Sequence, residues 1–483
     1  KSPTYSIVGA PEGTDPVELD YPRGEDGESQ TNTTFSGDGG PSVGNWFNRV
    51  LYALKFQSEQ ILFSDYVNDD SQILYDRDPA QRVQAVAPYL TLDSDPYPSV
   101  VDGRIVWIID GYTTSANYPY SSQVSLSEAI SDSSNPTPSL QVDQINYIRN
   151  SVKATVDAYD GSVTLYAWDA DDPMLQAWQK LYPAQLKSVS DMSADLMSHV
   201  RYPTDLFKVQ RAMLGTYHVD NARAFYQRDN AWTTPTDPTS STGSELQPPY
   251  YLSMRMPGEE SATFSMFTTF IPDGGDRQVL MGYLSVDSDA GSTAGEVADG
   301  YGKLTMLEIS ADSTVPGPGQ VQNKFNTDGT IAKEMNILTL GSSKVELGNL
   351  LTLPVGGGLL YVQPVYVQSS SGTSYPLLRK VLVSFGEELA FEDTLADALD
   401  DLFQGDAGAP TGDDDVTPTE PDDGTTEPED DTATEDYAQA LADAEQAMAD
   451  KQAALEAGDM VAYAEADQAL TDAVNRLLEL SGE

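Results

Sequence analysis

Hydrophobic residues recur at two periods along this chain, and the change from one to the other marks its organisation. Over residues 43–63, Trp46, Phe47, Val50, Leu51, Leu54, Ile61 and Leu62 recur near helical spacing, which predicts one helix with an inward-packed apolar face. Asp78 followed by Pro79 gives an N-cap and a proline at the first helical position, so a short helix carrying Val83 and Val86 is predicted there. At 105–109 the unbroken apolar run, ending at Asp110-Gly111, predicts a strand buried on both faces. Residues 152–158 and 163–167 then alternate with period two around Tyr159-Asp160-Gly161-Ser162. Asp-Gly suits a two-residue type I′ turn, because both positions need positive φ; the predicted pairs are Ala158 with Val163, Val156 with Leu165 and Ala154 with Ala167. That register sets Lys153 opposite Trp168 as a cation–π pair.

Further helices are predicted from Asp172-Pro173 and over 195–200, 205–217 and 221–226, with a polar loop at 233–249. Strand composition then dominates at 250–256, 263–271, 279–286, 303–309, 359–367 and 377–385, with helical segments at 320–337 and 394–403. Pro364 inside a strand run implies an edge or a bulge. The expected fold is α+β: a mixed sheet-containing body with several short helices, 1–249 forming its first half and 250–404 its strand-rich second half. Residues 405–435 hold about a dozen Asp and Glu and no Lys or Arg. Such a stretch cannot offset its ordering entropy by burial and is expected to be a disordered acidic tether. Beyond it, two helical stripes, Tyr437, Leu441, Ala444, Met448 and Leu455, then Tyr463, Ala466, Leu470, Val474 and Leu477, predict an αα-hairpin over 436–483 with caps at Gly458-Asp459. Two helices that short bury little area alone, so the hairpin is expected to dock, and a partner protein is the expectation.

Charge narrows the chemistry. A formal net charge of −50 over 483 residues argues against nucleic acid and against an anionic lipid surface, both of which need clustered cations. Cysteine is absent, which removes thiol nucleophiles, disulfides and thiolate metal sites, and the only histidines are His199 and His218. Acid–base chemistry would fall to carboxylates. No stretch approaches the ~18 consecutive apolar residues of a spanning helix, and the start at Lys1 is that expected of a processed chain or a fragment.

Several local patterns bear on sites. Asp110 and the Tyr-rich stretch carrying Tyr112, Tyr118 and Tyr120 are the candidate binding residues, since Tyr offers a rigid apolar face with a polar tip; ordinary loop packing explains the same residues. Asp169 and Asp171, and Asp287 and Asp289, resemble the starts of calcium loops, but the twelfth positions hold Lys180 and Ala298 instead of Glu. Calcium is the one cofactor these loops would suit, and Asp172 is more simply a helix cap. Gly40-Pro41-Ser42-Val43-Gly44 matches a nucleophile elbow without the buried strand that must precede one, and Ser42 is read as a helix cap. Gly356-Gly357-Gly358 lacks the Lys of a phosphate loop and reads as a turn. His199 and His218 read as structural or surface residues.

Longer motifs carry a resemblance. Tyr5-Ser-Ile-Val-Gly-Ala-Pro, Ile73-Leu-Tyr-Asp-Arg-Asp-Pro, Val101-Asp-Gly-Arg-Ile-Val-Trp-Ile-Ile-Asp-Gly-Tyr-Thr-Thr, Arg201-Tyr-Pro-Thr-Asp-Leu-Phe and Val315-Pro-Gly-Pro-Gly-Gln-Val-Gln-Asn are similar to those of uncharacterised protein family 0182, over residue 1 to about 403. The resemblance implies an actinobacterial plasma-membrane protein, anchored by N-terminal spanning helices absent from this chain, whose soluble region lies outside the cytoplasm. It implies no activity and no catalytic residues. The reading that follows is a non-catalytic extracytoplasmic domain that binds an envelope component or a partner protein. The alternatives are a carboxylate-dependent enzyme acting on envelope glycans, which requires a cleft with one carboxylate whose pKa burial has raised, and a domain that loads substrate for a transporter.

Overall fold

The strand Arg104–Ser115 is an interior strand of its sheet and pairs antiparallel with Tyr147–Asp157 along nearly its whole length. It is part of a computed structural model that describes residues 4–9, 18–23, 29–33, 35, 40–135, 140, 142–183, 185–240, 242–259, 261–274, 277–310, 314–339, 343–369, 375–405 and 469. The chain divides into one unit over Lys1–Asp413 and another over Asp414–Glu483. All of the expected helical hairpin but residue 469, and all of the acidic tether but residue 405, lie outside the described residues.

Asp110-Gly111 does not end the central strand, as the turn signal predicted; the strand continues to Ser115. Lys153, directly opposite, neutralises Asp110, and a Cβ on Gly111 would meet Leu90 Cδ1 at 3.0 Å, so the glycine serves close packing inside a strand. Around this strand a six-stranded sheet forms. Thr91–Leu92 and Tyr97–Val101 pair with it on one side, and Tyr147–Asp157, Val163–Ala167 and Leu186–Ser188 follow on the other. The predicted hairpin is present with its register moved by two residues: Val152 faces Ala167, Ala154 faces Leu165 and Val156 faces Val163. A move of two keeps every side chain on its face, so the apolar row survives. The turn is longer than two residues because Asp157 accepts from the Tyr159 and Asp160 amides, at 2.7 and 3.2 Å, and is held by Arg104 at 2.7 Å. Lys153 still lies 5.1 Å from the Trp168 ring centroid.

One face of this sheet buries Ile109, Val152, Ala154 and Leu165 beneath helices that supply Val83 and Leu175. The helix before it is broken: α1 spans Trp46–Phe56, Gln57 takes a left-handed conformation, and α2 spans Gln60–Phe63. The predicted inward face is a second correction. Trp46, Phe47, Leu51 and Leu54 are exposed, and the core side of α1 is Ala53 with Tyr52 and Phe56 against Val43, Ile61 and Ile73. Its N-cap is Asn45, which accepts from the Asn48 amide; Ser42 sits in an isolated bridge to Gln72. α3 (Pro79–Val86) starts at the predicted Asp78 cap; α4 (Leu126–Ile130) follows, and α5 (Pro173–Leu181) starts at Asp172 as predicted. α6 (Ala194–Ser198) and α7 (Thr204–Tyr217) then lead into the second sheet.

That sheet orders Trp232–Thr233, Thr263–Pro272, Gly282–Asp287 and Leu304–Glu308, with Tyr250–Met254 also on Thr263–Pro272. A third sheet orders Ser343–Leu347, Gly358–Ser369, Leu377–Phe385 and Glu388–Glu392, with Leu351–Val355 also on Gly358–Ser369. Pro364 falls in the gap between the two short strands that share one side of Gly358–Ser369, beside a register shift at Val365/Tyr366. Those two short strands went unpredicted: each alternates, Val345 and Leu347 with Lys344 and Glu346, and Leu351, Leu353 and Val355 with Thr352 and Pro354, but over five residues only, and Pro354 interrupts the second. Gly356 and Gly357, both at positive φ, make the expected turn.

Candidate functional site

α7 presents charge to the interior. Asp205, Lys208 and Arg211, three residues apart, share the buried side with Phe207, which packs against Trp232, Met266 and Phe270 of the second sheet. Lys208 lies 2.7 Å from Asp132, which follows α4, and 3.7 Å from Asp205; Arg211 stands 3.9 Å from Asp132. Nearby, Lys153 pairs with Asp110 across the central strands, and its ammonium also donates to the Arg201 carbonyl at 3.1 Å and the Tyr301 hydroxyl at 3.2 Å.

The helix is tied to the first sheet by a reciprocal clamp. The Asp205 amide donates to Asp93 Oδ2 at 2.9 Å, and the Ser94 amide and hydroxyl donate to the Asp205 carboxylate at 2.8 and 2.9 Å. Tyr112 donates its hydroxyl to Asp93 and accepts from the Leu206 amide at 3.2 Å. Asp93 has no cation of its own. Burial, then the Asp205 and Asp110 charges, push its carboxyl from 3.8 to about 7, against the hydrogen bonds from Tyr112 and Asp205. Burial likewise raises Asp205, which the Lys208 charge opposes. It lowers Lys153 against the pull of Asp110, and takes Arg211 down to about 10. For Asp132 burial acts upward, but Lys208 and the hydrogen bonds from Lys208 and Ser134 together outweigh it and leave the carboxyl low.

Above the clamp a cleft of about 890 Å³ opens between α3 and the end of the central strand. Gln84, Tyr89, Thr91, Ser94, Thr114 and Asn117 line it, and Asp93 reaches its floor. Tyr89 is stacked on Trp178 at 4.7 Å between centroids and on Tyr182 at 5.7 Å, and its buried hydroxyl has no hydrogen-bond partner. The surface of this cleft mixes these polar groups with apolar side chains such as Leu90, Leu92, Ile130 and Met174, is mostly uncharged, and carries Tyr89 of the aromatic stack.

The residues singled out from the sequence separate into inside and outside. Asp110 and Tyr112 are buried in the network just described. Tyr118 stacks on Tyr147 at 5.8 Å in the following loop, and Tyr120 is fully exposed at positive φ. Asp169 pairs with Arg149 and accepts from the Asp171 amide at 3.2 Å. Asp287 and Asp289 accept from the Asp289 and Gly291 amides at 3.0 and 2.8 Å. Among the described residues no group of three or more His, Cys, Asp or Glu is placed to hold a metal ion. Asp172 caps α5 and also accepts from Thr113, Ser151 and Tyr147 at 2.5 to 2.6 Å. His199 and His218 each bond through Nδ1 to a carbonyl four residues back, at 2.8 Å, and His218 also stacks on Trp232. Sequence reasoning missed Asp93, Asp132, Asp205, Lys208 and Arg211. The available signal was the spacing of three charges on the same side of α7 as Phe207.

Comparison with known proteins gives a family and no fold relative. The model of an uncharacterised protein family (UPF0182) matches residues 1–338, and the chain belongs to that family. The UPF0182 protein of Clavibacter michiganensis subsp. michiganensis is 60% identical over 99% of this chain and 52% of its own length. That of Leifsonia xyli subsp. xyli is 63% identical over 87% of this chain and 43% of its own, and that of Bifidobacterium longum 54% over 99% and 46%. The chain thus spans about half the length of the curated relatives it matches. No solved structure matches it.

Proposed function

We propose that this member of family UPF0182 is a non-catalytic binding domain, held outside the cytoplasm by a plasma-membrane anchor, whose cleft takes a hydroxyl-rich component of the cell envelope. The observation that carries the reading is the cleft itself: amide and hydroxyl side chains interspersed with apolar ones, beside a stacked Tyr89–Trp178 pair, with Lys208 engaged by Asp132 rather than free to bind an anion. Such a surface suits a neutral glycan, which needs hydrogen-bonding groups and an apolar platform but no net charge. The anchor and the location rest on the resemblance of the sequence motifs; among the described residues no helix is long and apolar enough to cross a membrane. A partner protein for the helical hairpin expected at 436–483 is the second contact in this proposal.

The enzyme alternative has one observation in its favour, since Asp93 lies at the cleft floor with its carboxyl raised to about 7. Against it, Asp93 is buried and its oxygens already accept from Tyr112, the Asp205 amide and the Asp95 amide at 2.9 Å. Calorimetric titration with glycans solubilised from an actinobacterial envelope separates the two. The binding reading expects saturable heat that weakens roughly tenfold in Asn117→Ala/Thr114→Ala, as loss of a hydrogen bond or two would give, with the glycan recovered intact. Shortened glycan, and loss of that shortening in Asp93→Asn, would establish the enzyme instead.

A further inference from the structure

α1 is apolar on nearly every side, a pattern expected of a helix that is covered all round. Its inner side is covered, by Val43, Ile61, Val67 and Ile73. Its outer side is not: Trp46 is 74% exposed, Phe47 68% and Leu54 72%, with Leu51 also exposed, and Phe63 and Tyr66 follow at 80% and 61%. At helical spacing Trp46, Phe47, Val50, Leu51 and Leu54 occupy one continuous arc. Lys55 and Asn48 border that arc.

Charge distinguishes this segment from the rest of the chain. Residues 41–70 hold Arg49 and Lys55 against Glu59, Asp65, Asp69 and Asp70, and within that segment α1 itself, in a chain of net charge −50, has no carboxylate. Arg49 is engaged internally, its guanidinium donating to the Val43 and Val67 carbonyls at 3.2 and 2.7 Å. Lys55 is exposed at the rim, its ammonium 3.8 Å from the Tyr75 ring centroid. Outward Trp, Phe and Leu with Lys at the border is the composition of a helix that lies in the headgroup region of a bilayer. The absence of carboxylates from α1 itself lets its outer face approach a headgroup layer that carries anionic lipid.

We propose that the outer face of α1 seats on a lipid bilayer surface, with its apolar arc in the acyl boundary and Lys55 at the headgroups. This runs against the expectation, drawn from net charge alone, that anionic lipid is disfavoured. It goes beyond the cleft's proposed glycan and does not require it.

Of five tryptophans Trp46 is the exposed one, Trp107, Trp168 and Trp178 being half-buried and Trp232 buried, so its emission reports on this face. The full 483-residue chain is mixed with vesicles of phosphatidylcholine and phosphatidylglycerol in equal parts. The expected result is co-sedimentation with a blue shift in emission, weakened about a hundredfold in Phe47→Ser/Leu54→Ser, whose two lost apolar side chains set that size. Lys55→Glu should weaken it further on these vesicles than on phosphatidylcholine alone. Absence of vesicle binding overturns the proposal. If wild type then self-associates in sedimentation velocity and the double variant does not, the face is an interface between copies. The vesicles contain no glycan, so either failure leaves the reading of the cleft intact.

Discussion

At α7 the chain buries Asp93, Asp110, Asp132 and Asp205 with Lys153, Lys208 and Arg211, while on α1 it leaves Trp46, Phe47 and Leu54 in solvent. The two regions invert the ordinary distribution in opposite senses, and they differ in whether the inversion is compensated. Each of these charges but Asp93 faces an opposite charge within the same unit, and Asp93 accepts hydrogen bonds from Tyr112 and the Asp205 amide instead, so the geometry is fixed. Among the described residues the apolar arc of α1 has no partner. A buried polar network therefore accounts for itself, whereas an exposed apolar face points beyond the described residues.

The sharpest way to break the comparison is to remove one cation. Lys153→Met leaves Asp110 buried without its ion-pair partner, and a loss of roughly 3–5 kcal/mol is expected in urea denaturation. Lys208→Met should cost a similar amount by uncovering Asp132 and Asp205. Replacing both members, as Lys153→Met/Asp110→Leu, should recover most of the loss, because it removes the uncompensated charge along with its partner. If the single variants unfold at the wild-type denaturant concentration, these ion pairs are not what offsets the burial of Asp110, Asp132 and Asp205.

A smaller effect is set by pH at the clamp. Asp93 is raised in the folded chain from 3.8 to about 7, so between those values the folded state holds a proton that the unfolded state has released. Stability from this group is therefore full below about pH 4, declines as pH rises towards 7, and is level above. The whole rise corresponds to roughly 4 kcal/mol, an upper figure because Asp205 shares the charge and the clamp can relax. Asp93→Asn should flatten this slope. The measurement is the difference in stability between wild type and Asp93→Asn at pH 5 and pH 8; a difference independent of pH would show that Asp93 stays ionised throughout.

These same two regions mark where the sequence could and could not be read. Elements whose signals are local came through: the Asp78-Pro79 and Asp172-Pro173 caps, the central strand's start, the bulge just after Pro364, the turn at Gly356. Patterning assigns apolar residues to the inside and charges to the outside, so it turned the α1 arc inward and left Asp205, Lys208 and Arg211 unremarked. Pairing across more than 100 residues, such as Asp93 with Asp205, leaves no trace in a local window. The hairpin register failed for a milder reason: Asp157 captured two amides and Arg104, lengthening a turn that Asp160-Gly161 alone would have made tight.

The smallest expected effect sharpens the comparison most. Phe47→Ser/Leu54→Ser alters side chains 68% and 72% exposed, so on stability in water it should fall within about 0.5 kcal/mol of wild type, as surface substitutions do. Its direction is informative. A residue that packs on nothing loses little when truncated, and Ser lowers helix propensity only slightly relative to Leu and Phe. A loss of several kcal/mol would mean that the arc is covered within the chain itself, and the inference about lipid would fall with it. Near-neutrality, beside the large loss expected for Lys153→Met, would show that the fold depends on its buried charges and is indifferent to the apolar residues on the outer face of α1.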